Sequence, residues 1–165
     1  MKIKSVPSMT TLQYLALIHQ VSYTNVCKDA GITPQQFSDW VKKRRPVPKE
    51  RLQALGVYFN VEPTLLVDDN LYLKDLSIDM KIKIQIHFIN ELLENAEEET
   101  DMEAYREKLI QLQKEQEQQM IIDKFTAMVK EADTQTLRLC NAFLDQVKSR
   151  DLDALLTILN IKEAE

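Results

Sequence analysis

The chain has 165 residues, 44% hydrophobic and 28% charged, with only two glycines and a formal net charge of −5. That apolar content excludes a disordered chain, the scarcity of glycine argues against a loop-rich β fold, and no apolar run approaches the ~18 residues that a membrane-spanning helix needs. The expected class is all-α, divided into a small domain of about 60 to 70 residues and a helical extension.

The charge is unevenly placed. Residues 1–60 hold nine basic and three acidic side chains, a balance of +6, while the remaining 105 hold 12 and 23, a balance of −11. A basic head attracts phosphates locally, and an acidic body keeps the chain soluble and discourages indiscriminate sticking. Cys27 and Cys140 lie far apart with no C-x-x-C pair, so two free thiols are expected rather than a disulfide or a zinc site. No charged-then-apolar leader opens the chain, so a cytoplasmic protein is expected.

Residues 1–9 read as an extended arm. Leu12, Leu15, Ala16 and Ile18 then fall at helical spacing, with Thr11 as the expected cap. Ser22 caps a second helix, Tyr23 to Ala30, and Gly31 is placed as its left-handed stop. Thr33 caps a third helix with Pro34 at its first position, where a missing N–H costs nothing. Phe37, Trp40 and Val41 form its inward stripe, which leaves Gln35, Gln36, Asp39, Lys42 and Lys43 on the other sides. A proline pair, Pro46 and Pro48, stops that helix. A fourth follows from about Pro48 to Tyr58 with Leu52, Leu55 and Phe59 inward, then a short fifth turn at Thr64-Leu65-Leu66. Composition shifts at Asp68-Asp69-Asn70, which sets the expected boundary.

The run Tyr23-Thr24-x-Val26-Cys27-x-x-Ala30-Gly31-Ile32-Thr33, continued by Phe37, Ser38, Trp40, Lys43, Arg45, Pro48, Leu52, Leu55, Phe59-Asn60-Val61 and Leu66, resembles the Cro- and phage-repressor-type helix-turn-helix family, also called the xenobiotic-response-element family. The resemblance covers residues 10–68, about a third of the chain. It implies a five-helix, lambda-repressor-like DNA-binding domain in which the second and third helices form the helix-turn-helix. One departure is local: members often carry an acidic-Asn-Gly turn after the third helix, where this chain has Val41-Lys42-Lys43.

Residues 69–78 read as a linker with apolar anchors, and 79–165 as a helical dimerisation or regulatory domain, either an antiparallel bundle or a short coiled coil. Its first helix carries Ile82, Ile86, Ile89, Leu92 and Leu93; the alternation Ile84, Ile86, Phe88 makes a strand the competitor there, and continuation through Leu93 favours the helix. An acidic turn near Glu99 to Asp101 precedes a long helix from about Met102 to Ala132, in which Tyr105, Leu109 and Leu112 keep heptad spacing for about two repeats. Asp133 or Thr134 caps the next helix and Asp151 a last one, Leu152 to Leu159. The residues expected to pair copies of the chain are Ile86, Ile89, Leu93, Tyr105, Leu109, Leu112, Phe125, Met128, Leu139 and Phe143.

What the resemblance implies for chemistry is a third helix lying in the major groove of double-stranded DNA. Gln35 and Gln36 are the expected base readers, since a glutamine amide pairs bidentately with adenine. Asp39 either accepts from a cytosine amino group or orients a neighbour. Phosphate contacts are expected from Ser22, Tyr23, Thr24 and Thr33 at helix starts and from Lys42, Lys43, Arg44 and Arg45. Trp40 belongs to the core rather than to a stacking surface. No enzyme is expected: His19 and His87 are solitary, Gly31 and Gly56 cannot make a phosphate loop, and no nucleophile has a base partner. The acidic cluster Glu97 to Glu103 lacks the glycine and spacing of a calcium loop, so neither metal nor cofactor is expected.

The function implied is a sequence-specific transcription regulator of the repressor kind found in phages and mobile elements. It would bind an inverted repeat as a homodimer, with a tetramer as the larger alternative. The competing reading is a protein-interaction adaptor, antirepressor or antitoxin-like, whose helical half binds a regulatory protein or peptide.

Overall fold

The computed structural model describes residues 9–95, 102–150 and 152–159. Among these the fold is all-α: α1 (Thr11–Ile18), α2 (Tyr23–Asp29), α3 (Pro34–Val41), α4 (Lys49–Tyr58), a single 3-10 turn (Pro63–Leu65), α5 (Ile78–Glu94), α6 (Met102–Glu131), α7 (Thr134–Ser149) and α8 (Asp153–Leu159). The chain divides into two compact units, Met1–Gln119 and Met120–Glu165, and the division falls inside α6. The arm expected at residues 1–8, the acidic turn at 99–101 and the Asp151 cap lie outside the described residues.

Local chemistry sets each helix start. Thr10, not Thr11, caps α1. Its hydroxyl accepts from the Gln13 N–H at 3.3 Å, and the Gln13 amide oxygen accepts from the Thr10 N–H at 3.0 Å, so two orphan donors are satisfied reciprocally. Thr11 is fully buried one residue on, and its N–H donates to the Lys74 carbonyl at 3.0 Å. Gly31 takes φ +64° as expected for the stop after α2. Gly56 answers a different need: a Cβ there would lie 2.9 Å from both the Val61 carbonyl oxygen and the Pro63 ring, so the close return of the 3-10 turn onto α4 requires its absence.

Leu12 and Leu15 of α1, Val26 of α2, Phe37 and Trp40 of α3 and Leu52, Leu55 and Phe59 of α4 share one core. Burying a side chain of this size stabilises by about 1.5–3 kcal/mol each before chain entropy is charged. The segment expected to be a linker is part of that unit. Leu73 is 1% exposed, and Leu71 and Leu76 pack against the same core. Buried backbone must find partners. The Val47 N–H donates to the Leu71 carbonyl and the Leu76 N–H to the Met9 carbonyl, each at 2.8 Å, and isolated antiparallel bridges join Thr10 with Asp75 and Val67 with Leu73. Residues 71–76 are therefore stitched to both ends of the first five turns of chain. Leu73→Ala is expected to lower unfolding stability by about 2–5 kcal/mol in urea titrations, as a core truncation does. Asp69→Ala should stay within about 0.5 kcal/mol; a free tether would leave both unchanged.

The alternation in α5 has a physical cause that is helical. Met80 and Ile84 pack against the first core, whereas Ile82, Ile86, Ile89 and Leu93 meet Tyr105, Leu109 and Leu112 of α6 in a second one. A helix between two cores carries two apolar stripes, and their superposition imitates a strand pattern. Of the residues expected to pair copies, Ile89 and Leu112 are buried in this second core and Ile86, Leu93, Tyr105 and Leu109 are half-buried against it.

His19, just past α1, lies edge-on to Phe59 and to Phe88 of α5, at centroid distances of 5.4 and 4.9 Å. Burial holds its imidazole below the ordinary pKa of 6.5, opposed by Glu91 and reinforced by His87. The native state thus binds fewer protons than the unfolded chain, so His19 contributes stability above pH 6.5 that is lost as pH falls through that value and below it. Urea midpoints measured at pH 7 and pH 5.5 should differ less in His19→Gln than in the parent chain.

The second unit is of another kind. The Asp133 carboxylate caps α7 by accepting from the Thr136 N–H at 2.7 Å, and that bond and its neighbours hold the carboxyl below the usual range. Yet no described residue from 120 to 159 is buried. Met128, Leu139 and Phe143 are 43%, 65% and 42% exposed, and Phe125 is half-buried.

Candidate nucleic-acid interface

α3 is held from below. Phe37 and Trp40 are 5% and 2% exposed, one turn apart, so the opposite side of the helix must face out. At its start Thr33 and Gln36 form a capping box: the Gln36 N–H donates to the Thr33 hydroxyl at 3.2 Å, and the Thr33 N–H donates to the Gln36 amide oxygen at 2.8 Å. The T-x-x-Q spacing announces this box in the sequence. The Gln36 amide oxygen thus carries one of the two hydrogen bonds it can accept, and the residue stays exposed at the helix start.

Asp39 is buried, at 8% exposure. Its carboxylate accepts from Gln35 Nε2 at 3.1 Å and faces Arg44 Nη1 at 3.5 Å and Arg45 Nε at 3.9 Å. The carboxylate is thus turned inward upon three donors, the arrangement expected of a group that orients its neighbours. Gln35 remains exposed, with its amide oxygen and one N–H still uncommitted.

The basic run follows directly. Lys43 takes a left-handed backbone at φ +53°, in the position where a glycine turn was missing, and its Nζ pairs with Asp75 at 2.7 Å. The partner comes from residues 71–76, which explains why no local pattern disclosed it. Arg44 and Arg45 keep 61% and 77% of their side chains exposed. Among the described residues no ion pair engages Lys42. Surface pairs of this kind are worth about 0–1 kcal/mol, little enough to be exchanged for phosphates.

The start of α2 lies beside the start of α3. Ser22 caps α2 by accepting from the Asn25 N–H at 3.2 Å, and its hydroxyl proton, like that of Thr33, stays available to a phosphate oxygen. Tyr23 and Thr24 are exposed, and the Tyr23 ring leans on Phe37 at 4.8 Å. The two helices border an apolar groove of about 270 Å³ whose walls include Pro34, Ser38 and Val41, residues that sequence reasoning did not assign to the site. The i, i+4 spacing of Pro34, Ser38 and Lys42 would have placed them on one stripe.

Comparison with protein-family models, curated proteins and solved structures finds no match for this chain. Among the described residues no helix is long and apolar enough to cross a membrane, and no group of three or more acidic, histidine or cysteine side chains is placed to hold a metal ion.

Because the Thr33 box starts the helix that carries this surface, Thr33→Ala should destabilise by about 1 kcal/mol. Thr33→Ser should restore most of that in the same thermal or urea unfolding measurement.

Proposed function

We propose that this protein is a sequence-specific DNA-binding transcription regulator acting in the cytoplasm, with α2 and α3 as its helix-turn-helix and α3 laid in the major groove. The observation that carries this reading is the juxtaposition on one short helix: Phe37 and Trp40 buried beneath, the Gln35 amide exposed above, and Lys42 to Arg45 immediately beyond. Gln35 reads a base, held at its nitrogen by Asp39. Lys42, Lys43, Arg44 and Arg45 grip the backbone, assisted by the hydroxyls of Ser22, Tyr23, Thr24 and Thr33. Repression of an inverted-repeat operator is the form of regulation proposed.

A reading surface of one glutamine and a few flanking contacts distinguishes few base pairs, which favours a homodimer on half-sites about one DNA turn, ~34 Å, apart. With Ile89 and Leu112 buried and Ile86, Leu93, Tyr105 and Leu109 half-buried within the chain, pairing is assigned mainly to the second unit, where Met128, Leu139 and Phe143 are exposed and Phe125 is half-buried. The same exposed apolar side chains favour the alternative reading, an adaptor that binds a regulatory protein through this unit. Light scattering of the purified chain separates them: a concentration-dependent dimer supports the first, a monomer that only a second protein converts to a complex supports the adaptor.

The DNA reading predicts two kinds of mutant. On any duplex, Lys42→Ala and Arg45→Ala should weaken binding and each reduce the slope of log K against log salt by about 0.9. Gln35→Ala should cost about 1–3 kcal/mol on the preferred site and nothing on a random duplex. Fluorescence anisotropy titrations at several salt concentrations measure both, and parent-like binding by all three variants would refute the assignment.

A further inference from the structure

Resting on the DNA-binding reading above, we infer that the apolar groove between α2 and α3 receives the methyl-bearing edge of a thymine in the major groove. The groove is walled by side chains that include Tyr23, Thr24, Pro34, Phe37, Ser38 and Val41, and Pro34 immediately precedes the exposed Gln35 in the chain. Its floor is core: Phe37 is 5% exposed, and the Tyr23 ring resting on it at 4.8 Å keeps that wall upright. No acidic or basic side chain lines it. Around it the surface is basic, because Lys42 follows Pro34 and Ser38 on the same helical stripe, and Arg44 and Arg45 come next.

An apolar recess set in a phosphate-attracting surface calls for a ligand that is charged outside and apolar at one point. Duplex DNA offers one apolar group in the major groove, the C5-methyl of thymine. Pro34 suits that partner and no polar one. It has no N–H to offer at the first position of α3, and its ring presents only carbon. Thr24 and Ser38 supply hydroxyls at the same groove, which can meet the neighbouring O4 or N7 acceptor without demanding a particular purine. The thymine contacted therefore lies beside the base that Gln35 reads, and the two together define the step of sequence recognised by each copy.

The test uses the whole chain and a duplex selected from a random pool. Each thymine of the selected site is replaced in turn by deoxyuridine, which removes the methyl group and nothing else. The expected result is one position per half-site at which binding weakens about fourfold, the worth of burying one methyl group. In Pro34→Ala and Tyr23→Ala, checked for folding by circular dichroism, the ratio between thymine and deoxyuridine at that position should narrow toward one. Specific binding that is indifferent to every deoxyuridine would overturn the inference while leaving the DNA-binding reading intact. A methyl effect that persists undiminished in both variants would also overturn it, because the group is then sensed elsewhere. Failure to select any sequence would remove the DNA-binding reading itself, an outcome distinguishable from the other two.

Discussion

Phe37 and Trp40 decide which side of α3 faces solvent, and the exposed surface follows from that anchorage. With their stripe buried, Gln35, Ser38 and Lys42 must lie outward or at the edge, and the chain leaving the helix must deliver Lys43, Arg44 and Arg45 alongside. Asp39 completes the arrangement from within, since its nearly buried carboxylate collects Gln35 and both arginines. Burial of a carboxylate is unfavourable unless charge and hydrogen bonds compensate it, and here they come from the very groups proposed to touch DNA.

How much of this was legible in the sequence varied with the range of the interaction. Helix starts at Ser22 and Thr33 and the stop at Gly31 are local events, and local residue chemistry gave them correctly. The inward stripes of α1 to α4 were equally legible, because 3.6-residue periodicity is a property of one helix. The partners of Gln36 and Asp39 did not follow from periodicity, because facing outward is not the same as being free, and an amide or carboxylate three or four residues from a partner can meet it. Illegible from local sequence were the Lys43–Asp75 pair and the bonds that tie Leu71 to Val47 and Leu76 to Met9, which join residues distant in the chain.

The helical half carries the same lesson at a larger scale. Apolar residues at helical spacing say that a face is covered, not by what. α5 and α6 cover each other through Ile82, Ile86, Ile89, Leu93, Tyr105, Leu109 and Leu112. Among the described residues beyond Gln119 no side chain is buried, and a unit without buried residues lacks the core that small domains need for stability. A second copy is the covering that the proposed recognition of paired half-sites requires.

The most direct test of the central claim, that the exposed side of α3 and the basic run beyond it form a DNA-binding surface, is backbone amide NMR during titration with a short duplex at low salt. The account predicts shifts concentrated at residues 22–24 and 33–45, with the 3-10 turn and the α5–α6 hairpin unaffected. Shifts confined to the acidic helical half, or none at all, would contradict it.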